Sequence, residues 1–415
     1  MLFHRLADQG RGSGACSHLN HGGVIMDTNK TLSRRGFVGS LAAAIGYLGL
    51  GPKSVLWAQT GRRPRRRYTE AEYDAFAKLS SNENPYGPSD AVLEAMNHAF
   101  KYANRYGYPD GNILQAIAEH HGVEPENVLL GAGSGEILNI VGSTFLRVRK
   151  KVVGVEPSYG SVYRQASGIK ADAIKLPLLS DYRQDIPAII DGTKKNYRDV
   201  GFVYMCNPNN PTGVIVTKKE IDTLLDGIPE DMPVLVDEAY HHFVEDPDYA
   251  TAVPHVLEGR QVIVARTFSK ISGMAAIRLG YAIAPKNLID QMRPNGTGSI
   301  SAIAKWGGAT AIKDTAEQEK VRAVTLELRK KTTAELEKLG FDCIPSETNF
   351  FMVHLGRQVQ PVIDEFRKRT VLVGRPFPPM LEHLRVSVGT ADEMERFMVA
   401  FKEIFPDGKP APTGA

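Results

Sequence analysis

The sequence is poor in cysteine and close to charge neutrality. Its 415 residues include three cysteines, Cys16, Cys206 and Cys343, which lie far apart along the chain. This spacing argues against a disulfide framework and against a CxxC metal site. The formal net charge is only +3, and much of the positive excess comes from arginines at positions 62–67. The rest of the chain therefore gives no reason to expect a nucleic-acid partner.

Long hydrophobic runs are also missing. The apolar stretch LAAAIGYLGLG at residues 41–51 is too short to cross a membrane as an ordinary helix. It follows the segment SRRGF at residues 33–37 and leads to small residues near Ala58, an order typical of a signal peptide. SRRGF resembles the twin-arginine export signal. We therefore expect residues 1–67 to be a signal peptide and basic linker and the protein to be exported or periplasmic; the alternative is a cytoplasmic protein with a disordered extension.

The order of helices and strands predicts two domains, which a chain of this length can accommodate. Between residues 128 and 284, apolar strands alternate with helices, which is typical of an α/β fold with a doubly wound, mostly parallel sheet. The candidate strands are 152–155, 174–176, 200–205, 234–236 and 262–265.

The remaining segments predict a smaller α+β domain. Residues 71–79 are predicted to form a lead-in strand, and a long helix at 314–339 precedes separated strands. The predicted boundaries are 86–288 for the large domain, 68–85 with 289–408 for the small domain, and 409–415 for a disordered tail.

The stretch VIVARTFSKISGMAAIRLGYAIAP at residues 262–285 carries an unusual lysine. Lys270 follows a strand that is predicted to be buried, and its neighbours are hydroxyl and apolar side chains. Burial lowers the pKa of a lysine, and a neutral amine can attack a carbonyl to form a Schiff base. A solvated lysine at a strand end is the alternative, and this stretch alone leaves both interpretations open.

Two further strand ends carry features suited to a ligand. GAGSG at residues 131–135 joins a strand to a helix, where backbone amides can approach a phosphate; neither a Walker motif nor GxGxxG is present, so a single phosphate fits better. Asp237 ends the strand VLVDEAY, where a buried acid needs a cation such as a pyridinium nitrogen or a metal, unless it caps the next segment. His241 and His242 would point to opposite faces of a strand, so no metal site is expected.

Seven motifs follow one another between roughly residues 78 and 400. They are NENPYGPS, GAGSGE, EPSYG, NPNNPTG, VDEAY, TFSK with Arg278 beyond it, and LRVSVGT. This series resembles the aspartate-aminotransferase superfamily of fold-type I pyridoxal-phosphate enzymes, and within it the histidinol-phosphate aminotransferase branch. The resemblance implies that fold, pyridoxal 5'-phosphate as cofactor with Lys270 as its Schiff-base lysine, a small-molecule amino donor, a 2-oxo acid acceptor and a homodimer.

The resemblance also implies a role for each matching residue. The cofactor phosphate is expected to contact the backbone amides of Ser134, Gly135 and Glu136, the side chains of Thr267, Ser269 and Arg278, and Tyr108 of the other subunit. The cofactor ring is expected to contact Tyr159 by stacking, Asn210 and Tyr240 at its phenolic oxygen, and Asp237 at its nitrogen, which keeps the ring an electron sink. The substrate is expected to contact Tyr86, Asn349, Arg375 near its distal group, and Arg385 at its α-carboxylate.

The resemblance leaves the amino donor open. The flank PFPPM after Arg375 and the pair His241-His242 after VDEAY depart from the usual pattern of the histidinol-phosphate branch. Export also fits poorly with cytoplasmic histidine synthesis. The sequence therefore predicts an aminotransferase for an amino acid or amine, with histidinol phosphate as one candidate. The alternatives are a related pyridoxal-phosphate enzyme that decarboxylates or oxidises an amino acid, and a silent binding protein.

Overall fold

The computed structural model of the protein describes residues 68–146 and 149–409. The predicted signal peptide and linker at 1–67 lie outside these residues. So does the predicted tail at 409–415, apart from Lys409.

Helices and strands alternate through most of the described chain. The strands are β1 (Ala77–Leu79), β2 (Val128–Gly131), β3 (Lys151–Glu156), β4 (Asp172–Pro177), β5 (Val200–Cys206), β6 (Val234–Asp237), β7 (Val262–Thr267), β8 (Gly280–Ile283), β9 (Asp342–Ile344), β10 (Phe350–His354), β11 (Val371–Val373) and β12 (His383–Ser387). The α-helices are α1 (Glu70–Asp74), α2 (Asp90–Ala99), α3 (Ile113–His121), α4 (Ser134–Phe145), α5 (Ser161–Gly168), α6 (Ile186–Lys195), α7 (Lys218–Gly227), α8 (Val253–Leu257), α9 (Lys286–Met292), α10 (Ala302–Ala311), α11 (Thr315–Lys338), α12 (Val359–Lys368) and α13 (Ala391–Ile404). Short 3-10 helices span Phe100–Tyr102, Pro125–Asn127, His241–Phe243 and Arg293–Asn295.

Seven strands form the large sheet, in the order β2-β8-β7-β6-β5-β3-β4. The neighbours from β7 to β4 pair in parallel, whereas β8 is antiparallel to both β2 and β7. The predicted large, mostly parallel sheet is therefore confirmed. Because parallel strands end at the same edge of a sheet, the residues that follow β3, β5, β6 and β7 gather at one edge.

The large sheet is buried on both faces. Along β6, Val234 and Val236 belong to one apolar cluster and Leu235 to another, since successive side chains on a strand point to opposite faces. Full burial of one such side chain contributes about 1.5–3 kcal/mol. By the same alternation, Asp237 lies on the face of Leu235, so the apolar strand carries a carboxyl group to the carboxyl edge of the sheet.

Two smaller sheets come from the segments that the sequence assigned to the small domain. β1 pairs in parallel with β11, and β10 lies between β9 and β12 in an antiparallel three-stranded sheet. Apolar side chains of these strands pack with α12 and α13 in one cluster, which includes Phe351, Phe366 and Phe397. The three-stranded sheet therefore places β12, with Arg385 and Ser387, beside an apolar cluster different from those of the large sheet.

Two local predictions are wrong. The predicted strand at 71–79 is helical at Glu70–Asp74, and only Ala77–Leu79 pairs with another strand. His241 and His242 do not continue a strand, because β6 ends at Asp237 and the two rings lie side by side in a 3-10 helix, with centroids 3.7 Å apart.

The described residues contain neither a candidate metal cluster nor a candidate membrane span. Within them, no group of three or more histidine, cysteine, aspartate or glutamate side chains is arranged to hold a metal ion. The helices of the same residues are all too short or too polar to cross a membrane.

Candidate active site

A cavity of about 190 Å³ lies at the carboxyl edge of the large sheet. Its walls come from segments that follow β2, β3, β6 and β7, together with the segment after β1. The residues named from the sequence that line it are Ser134, Gly135, Tyr159, Asp237, Tyr240, Thr267, Ser269, Lys270 and Arg278. The fold therefore brings residues that are up to 144 positions apart in sequence into one site.

Asp237 carries a buried and incompletely bonded carboxyl group. It is 2% exposed, and burial raises its pKa to about 7 against the opposing effects of the Ala239 amide, the Lys270 charge and the Tyr204 hydroxyl. Its Oδ2 accepts a long hydrogen bond of 3.5 Å from the Tyr204 hydroxyl, whereas its Oδ1 is buried without a partner. A buried acceptor of this kind calls for a donor, and a cationic N–H of a ring would satisfy it.

Lys270 lies in the turn after β7. Its Nζ donates a hydrogen bond of 3.1 Å to the carbonyl oxygen of Ser81 and lies 5.6 Å from the centre of the Tyr240 ring. Burial lowers the pKa of the amine to about 8, and the charge of Arg385 acts in the same direction. An amine with this pKa is neutral in about one molecule in ten at pH 7, so Lys270 is a competent nucleophile near neutrality.

The glycine-rich turn and Arg278 form a cradle for an anion. Helix α4 begins directly after Gly133, whose φ of +82° favours glycine, and a Cβ there would lie 2.0 Å from a guanidinium nitrogen of Arg278. Arg278 donates to the Ser269 hydroxyl and to the Ala132 carbonyl oxygen, each at 3.2 Å. Within the described residues, no acidic side chain forms an ion pair with Arg278. A helix N-terminus beside an unpaired arginine is suited to a phosphate.

Glu136 has a different part in this turn from the one expected. Its amide donates to the Gly133 carbonyl oxygen at 3.1 Å, and its carboxylate accepts from the Ala132 amide and from the Thr297 hydroxyl. Because the amide is already used inside the turn, Glu136 closes the turn, while Ser134 and Gly135 line the cavity.

Tyr240 is the centre of a buried hydrogen-bond network. Its hydroxyl oxygen accepts from Nδ2 of Asn210 at 3.1 Å and from Nδ2 of Asn82 at 3.0 Å. Oδ1 of Asn210 accepts in turn from Arg385 at 2.7 Å. Asn210, Tyr240 and Arg385 were each named from the sequence, and they lie in one network; Asn82 is an addition.

Arg385 is a buried cation with spare donor capacity. It is 7% exposed, it donates to the Ser80 carbonyl oxygen at 2.7 Å, and its Nε has no partner. Burial lowers the pKa of the guanidinium to about 10. In the described chain no carboxylate forms an ion pair with it, which suits a bidentate contact with the carboxylate of a ligand. Asn349 is buried as well, and its Oδ1 is also without a partner.

The three tyrosines named from the sequence have different surroundings. Tyr159 lines the cavity, and burial raises the pKa of its hydroxyl. Tyr108 donates its hydroxyl to the Ile300 carbonyl oxygen, and Tyr86 is 48% exposed. Neither Tyr108 nor Tyr86 lines the cavity of its own chain.

A second cavity, of about 350 Å³, is lined in part by Ser158 and Gly160, the sequence neighbours of Tyr159. Arg164 and Arg375 both line it, and burial together with the charge of Arg164 lowers the pKa of Arg375. The guanidinium of Arg375 stacks on the Phe377 ring at 4.3 Å from its centre, and that of Arg385 lies 4.6 Å from the same centre. The Phe377 ring therefore contacts the guanidinium groups of both Arg375 and Arg385.

Sequence reasoning missed four polar residues of this region: Asn82, Arg164, Tyr204 and Ser387. Tyr204 could have been found, since strand alternation places it on the same face of β5 as Cys206, and Cys206 pairs with Asp237 across to β6. Asn82 and Ser387 lie in the motifs NENPYGPS and LRVSVGT, but their contact with each other, like the position of Arg164 in the second cavity, depends on segments that are distant in sequence.

Known proteins that are similar to this chain include aminotransferases. The family "Aminotransferase class I and II" matches residues 75–401. The histidinol-phosphate aminotransferase of Moorella thermoacetica is 34% identical over 334 residues, which cover 79% of this chain and 85% of that protein. The one from Symbiobacterium thermophilum is 33% identical over 339 residues, covering 80% and 91%.

Solved structures show the same architecture. A putative histidinol-phosphate aminotransferase from Erwinia carotovora atroseptica has a TM-score of 0.77 and 29% identity, covering 82% of this chain and 99% of that chain. The histidinol-phosphate aminotransferase of Sinorhizobium meliloti, solved with pyridoxal-5'-phosphate, has a TM-score of 0.75 and 23% identity, covering 86% and 95%. The likeness to these structures extends over most of the described chain.

Proposed function

The chain belongs to the class I and II aminotransferases, and from that premise we propose that its amino donor carries an anionic group at the end remote from the reacting amine. As the motifs predicted, it is a pyridoxal-phosphate-dependent aminotransferase of the histidinol-phosphate branch. The observation that carries the proposal is the pair of unneutralised arginines, Arg164 and Arg375, in the second cavity.

The residues of the first cavity fit pyridoxal phosphate. The unpartnered Oδ1 of Asp237 would accept from the ring nitrogen, and the α4 N-terminus with Arg278 would bind the phosphate. When bound, this cofactor supplies an electron sink for the carbanion at the substrate Cα. Lys270 would hold the cofactor covalently through Nζ, and the same amine would move the proton at the substrate Cα.

Arg385 would fix the α-carboxylate of the substrate. Its unpartnered Nε and its lack of a carboxylate partner leave donors free, and its contacts with Asn210 and Ser80 hold the guanidinium in place. A substrate bound in this way would have its Cα near Lys270. Its side chain could then extend past Phe377 towards the second cavity.

The second cavity has an uncompensated positive charge. Its acidic residue, Glu156, is engaged by Lys175 at 2.8 Å. Within residues 68–146 and 149–409, neither Arg164 nor Arg375 forms an ion pair with an acid. The charge of Arg164 lowers the pKa of Arg375, and an anion placed between them would stabilise the charged guanidinium, so a phosphate monoester or a carboxylate suits this cavity.

Changing either arginine to glutamine should selectively impair donors with a distal anion. For Arg164→Gln and for Arg375→Gln, we expect kcat/KM with histidinol phosphate to fall about 10- to 100-fold, the worth of one charge-assisted hydrogen bond. With histidinol, which lacks the phosphate, kcat/KM should change by less than about threefold. Steady-state kinetics with the two donors measures both values.

Ser167→Ala is the matched control for these variants. Ser167 lines the same cavity but carries no charge, so its removal should leave the preference between the two donors nearly unchanged. If the arginine variants lose activity with both donors equally, the second cavity does not bind the distal group.

We also propose that the active unit is a homodimer in which Tyr108 contacts the cofactor phosphate of the partner. Tyr108 lies outside the cavity of its own chain, and nearby Tyr106 is fully exposed while Phe100 is 57% exposed. Light scattering should give twice the mass of the chain, and Tyr108→Phe should weaken cofactor binding about tenfold with the fold unchanged. A monomer with full cofactor affinity would contradict this arrangement.

We propose export through the twin-arginine route as the localisation. The support is the order of SRRGF, apolar stretch and small residues, all of which lie outside the described residues. The double change Arg34→Lys with Arg35→Lys should retain the protein in the cytoplasm with its fold and cofactor intact. Changing Arg62 and Arg63 to lysine is the control and should leave fractionation unaltered. Normal export of the first double variant would refute the proposal.

A further inference from the structure

The hydroxyl of Tyr240 receives hydrogen bonds from two buried asparagine amides. The donors are Nδ2 of Asn210 at 3.1 Å and Nδ2 of Asn82 at 3.0 Å. Which end of an amide faces a hydroxyl decides the direction of such a bond. Here the amide oxygen of each asparagine is already bonded to another residue, so the NH₂ group is the end that faces Tyr240.

The orientation of Asn210 is fixed by an obligate donor. Its Oδ1 accepts from Arg385 at 2.7 Å, and a guanidinium can only donate. The oxygen of the Asn210 amide must therefore face Arg385, so its NH₂ group must face Tyr240.

The orientation of Asn82 is fixed by Ser387. The backbone N–H of Asn82 donates to Oγ of Ser387 at 2.8 Å, and this hydroxyl in turn donates to Oδ1 of Asn82 at 2.8 Å. Both residues are 1% exposed, so water does not compete for these bonds. The NH₂ group of Asn82 is thereby directed to Tyr240 as a second donor.

Because two amides donate to the Tyr240 hydroxyl oxygen, the hydroxyl proton cannot point towards either of them. A phenolic oxygen offers limited acceptor capacity, and both asparagines occupy it. The hydroxyl proton is then free to be donated to an acceptor in the cavity that Tyr240 lines. Burial raises the pKa of Tyr240, and the charge of Arg385 and the hydrogen bond from Asn82 partly offset that rise.

We propose that Asn82, oriented by Ser387, is a positioning residue that fixes Tyr240 as a hydrogen-bond donor towards the phenolic oxygen of the cofactor. Arg385 and Ser387 lie two residues apart on β12, on the same face, and each holds one of the two asparagines. Strand β12, whose Arg385 is proposed to bind the substrate carboxylate, therefore also makes the Tyr240 hydroxyl a donor towards the cavity. The inference rests on the cofactor lying beside Tyr240, as in the proposed function.

The test is a spectroscopic pH titration of the enzyme with its cofactor bound and no substrate. A hydrogen bond from Tyr240 to the phenolic oxygen competes with the proton of the linkage to Lys270, so it lowers the pKa of that linkage. Asn82→Gly removes the amide and tolerates the φ of +54° at this position. We expect it to raise the pKa of the linkage by about 0.5–1 unit, and Ser387→Ala to raise it by less.

Two comparisons separate this role from a structural one. In a Tyr240→Phe background, Asn82→Gly should cause no further shift, because its effect passes through the Tyr240 hydroxyl. Asn84→Ala is the control within the same loop: Nδ2 of Asn84 donates to the Gly87 and Ile271 carbonyl oxygens, and the titration should stay as in the wild type.

The outcomes are distinguishable. If Tyr240→Phe itself leaves the titration unchanged, the placement of the cofactor beside Tyr240 is wrong. The role of Asn82 is refuted if Tyr240→Phe shifts the titration but Asn82→Gly does not. It is also refuted if Asn82→Gly causes the same shift in the wild type and in the Tyr240→Phe background. Should Asn82→Gly unfold, as thermal denaturation would reveal, an unshifted titration of Ser387→Ala refutes the same role.

Discussion

Lys270→Ala is expected to lose turnover by at least about 10⁴-fold while it still folds and binds the cofactor. The amine of Lys270 is the group proposed both to hold the cofactor and to move the proton at the substrate Cα, and among the described residues no other lysine lines the cavity. The phosphate cradle and Asp237 are left intact by the change, so cofactor affinity should fall much less than the rate. Steady-state kinetics and equilibrium cofactor binding give the two values.

Borohydride reduction followed by peptide mapping identifies the attached lysine. The wild type should carry the reduced adduct on Lys270, and Lys270→Ala should carry none. Lys218→Ala is the control, since Lys218 lies on the surface in an ion pair with Asp222 and should not affect labelling. A reduced adduct on any other lysine would overturn the assignment.

Asp237→Asn is expected to slow proton abstraction at the substrate Cα by about 10²–10³-fold with the cofactor still bound. A carboxylate beside the ring nitrogen favours its protonated form by opposite charge, and an amide of the same shape does not. The buried Oδ1 of Asp237 has no hydrogen-bond partner in the described part of the chain, so the nitrogen of a ligand could donate to it. Stopped-flow absorbance of one half-reaction measures the step directly.

Asp231→Asn is the control for Asp237→Asn, because it makes the same chemical change far from the cavity. Asp231→Asn removes an exposed carboxylate that accepts from the Tyr197 hydroxyl, and it should leave the half-reaction unchanged. If Asp237→Asn reacts at nearly the normal rate, Asp237 caps the segment after β6 and the acid beside the ring lies elsewhere.

The sheet and the cofactor cavity could be predicted from the sequence because their signals are local. Buried parallel strands are continuous apolar runs, and the residues that follow such strands meet at one edge of the sheet. Asp237 ends one apolar strand and Lys270 lies in the turn after the neighbouring strand, so their convergence followed from topology. The motif order then favoured a cofactor lysine over a solvated one.

Short or irregular segments carried too little signal. Glu70–Asp74 is a helix of five residues, too short for a helical period to stand out against a strand. The turn at His241–Phe243 begins only four residues after β6, and the sequence gives no glycine or proline to mark the change. Such boundaries are decided by packing and by backbone hydrogen bonds.

Contacts between distant segments were also beyond the sequence. Asn82 and Ser387 are 305 residues apart and meet because β1 and β12 belong to neighbouring small sheets. Arg164 lies on α5, where an arginine at a helix position usually indicates a solvated surface, and only the fold brings it to the cavity of Arg375. The contacts of Asn82, Ser387 and Arg164 thus became visible only in the folded chain, whereas Arg375 was already named from the sequence.

The most direct test is one half-reaction of the enzyme with its cofactor bound. Mixed with histidinol phosphate and no 2-oxo acid, the enzyme should lose the cofactor absorption band in a single turnover, and 2-oxoglutarate should restore it. Histidinol should react at least about tenfold more slowly, because the arginines of the second cavity have no anion to bind. Continuous turnover without a 2-oxo acid, with release of carbon dioxide or consumption of oxygen, would contradict an aminotransferase, and equal rates with both donors would contradict the distal anion site.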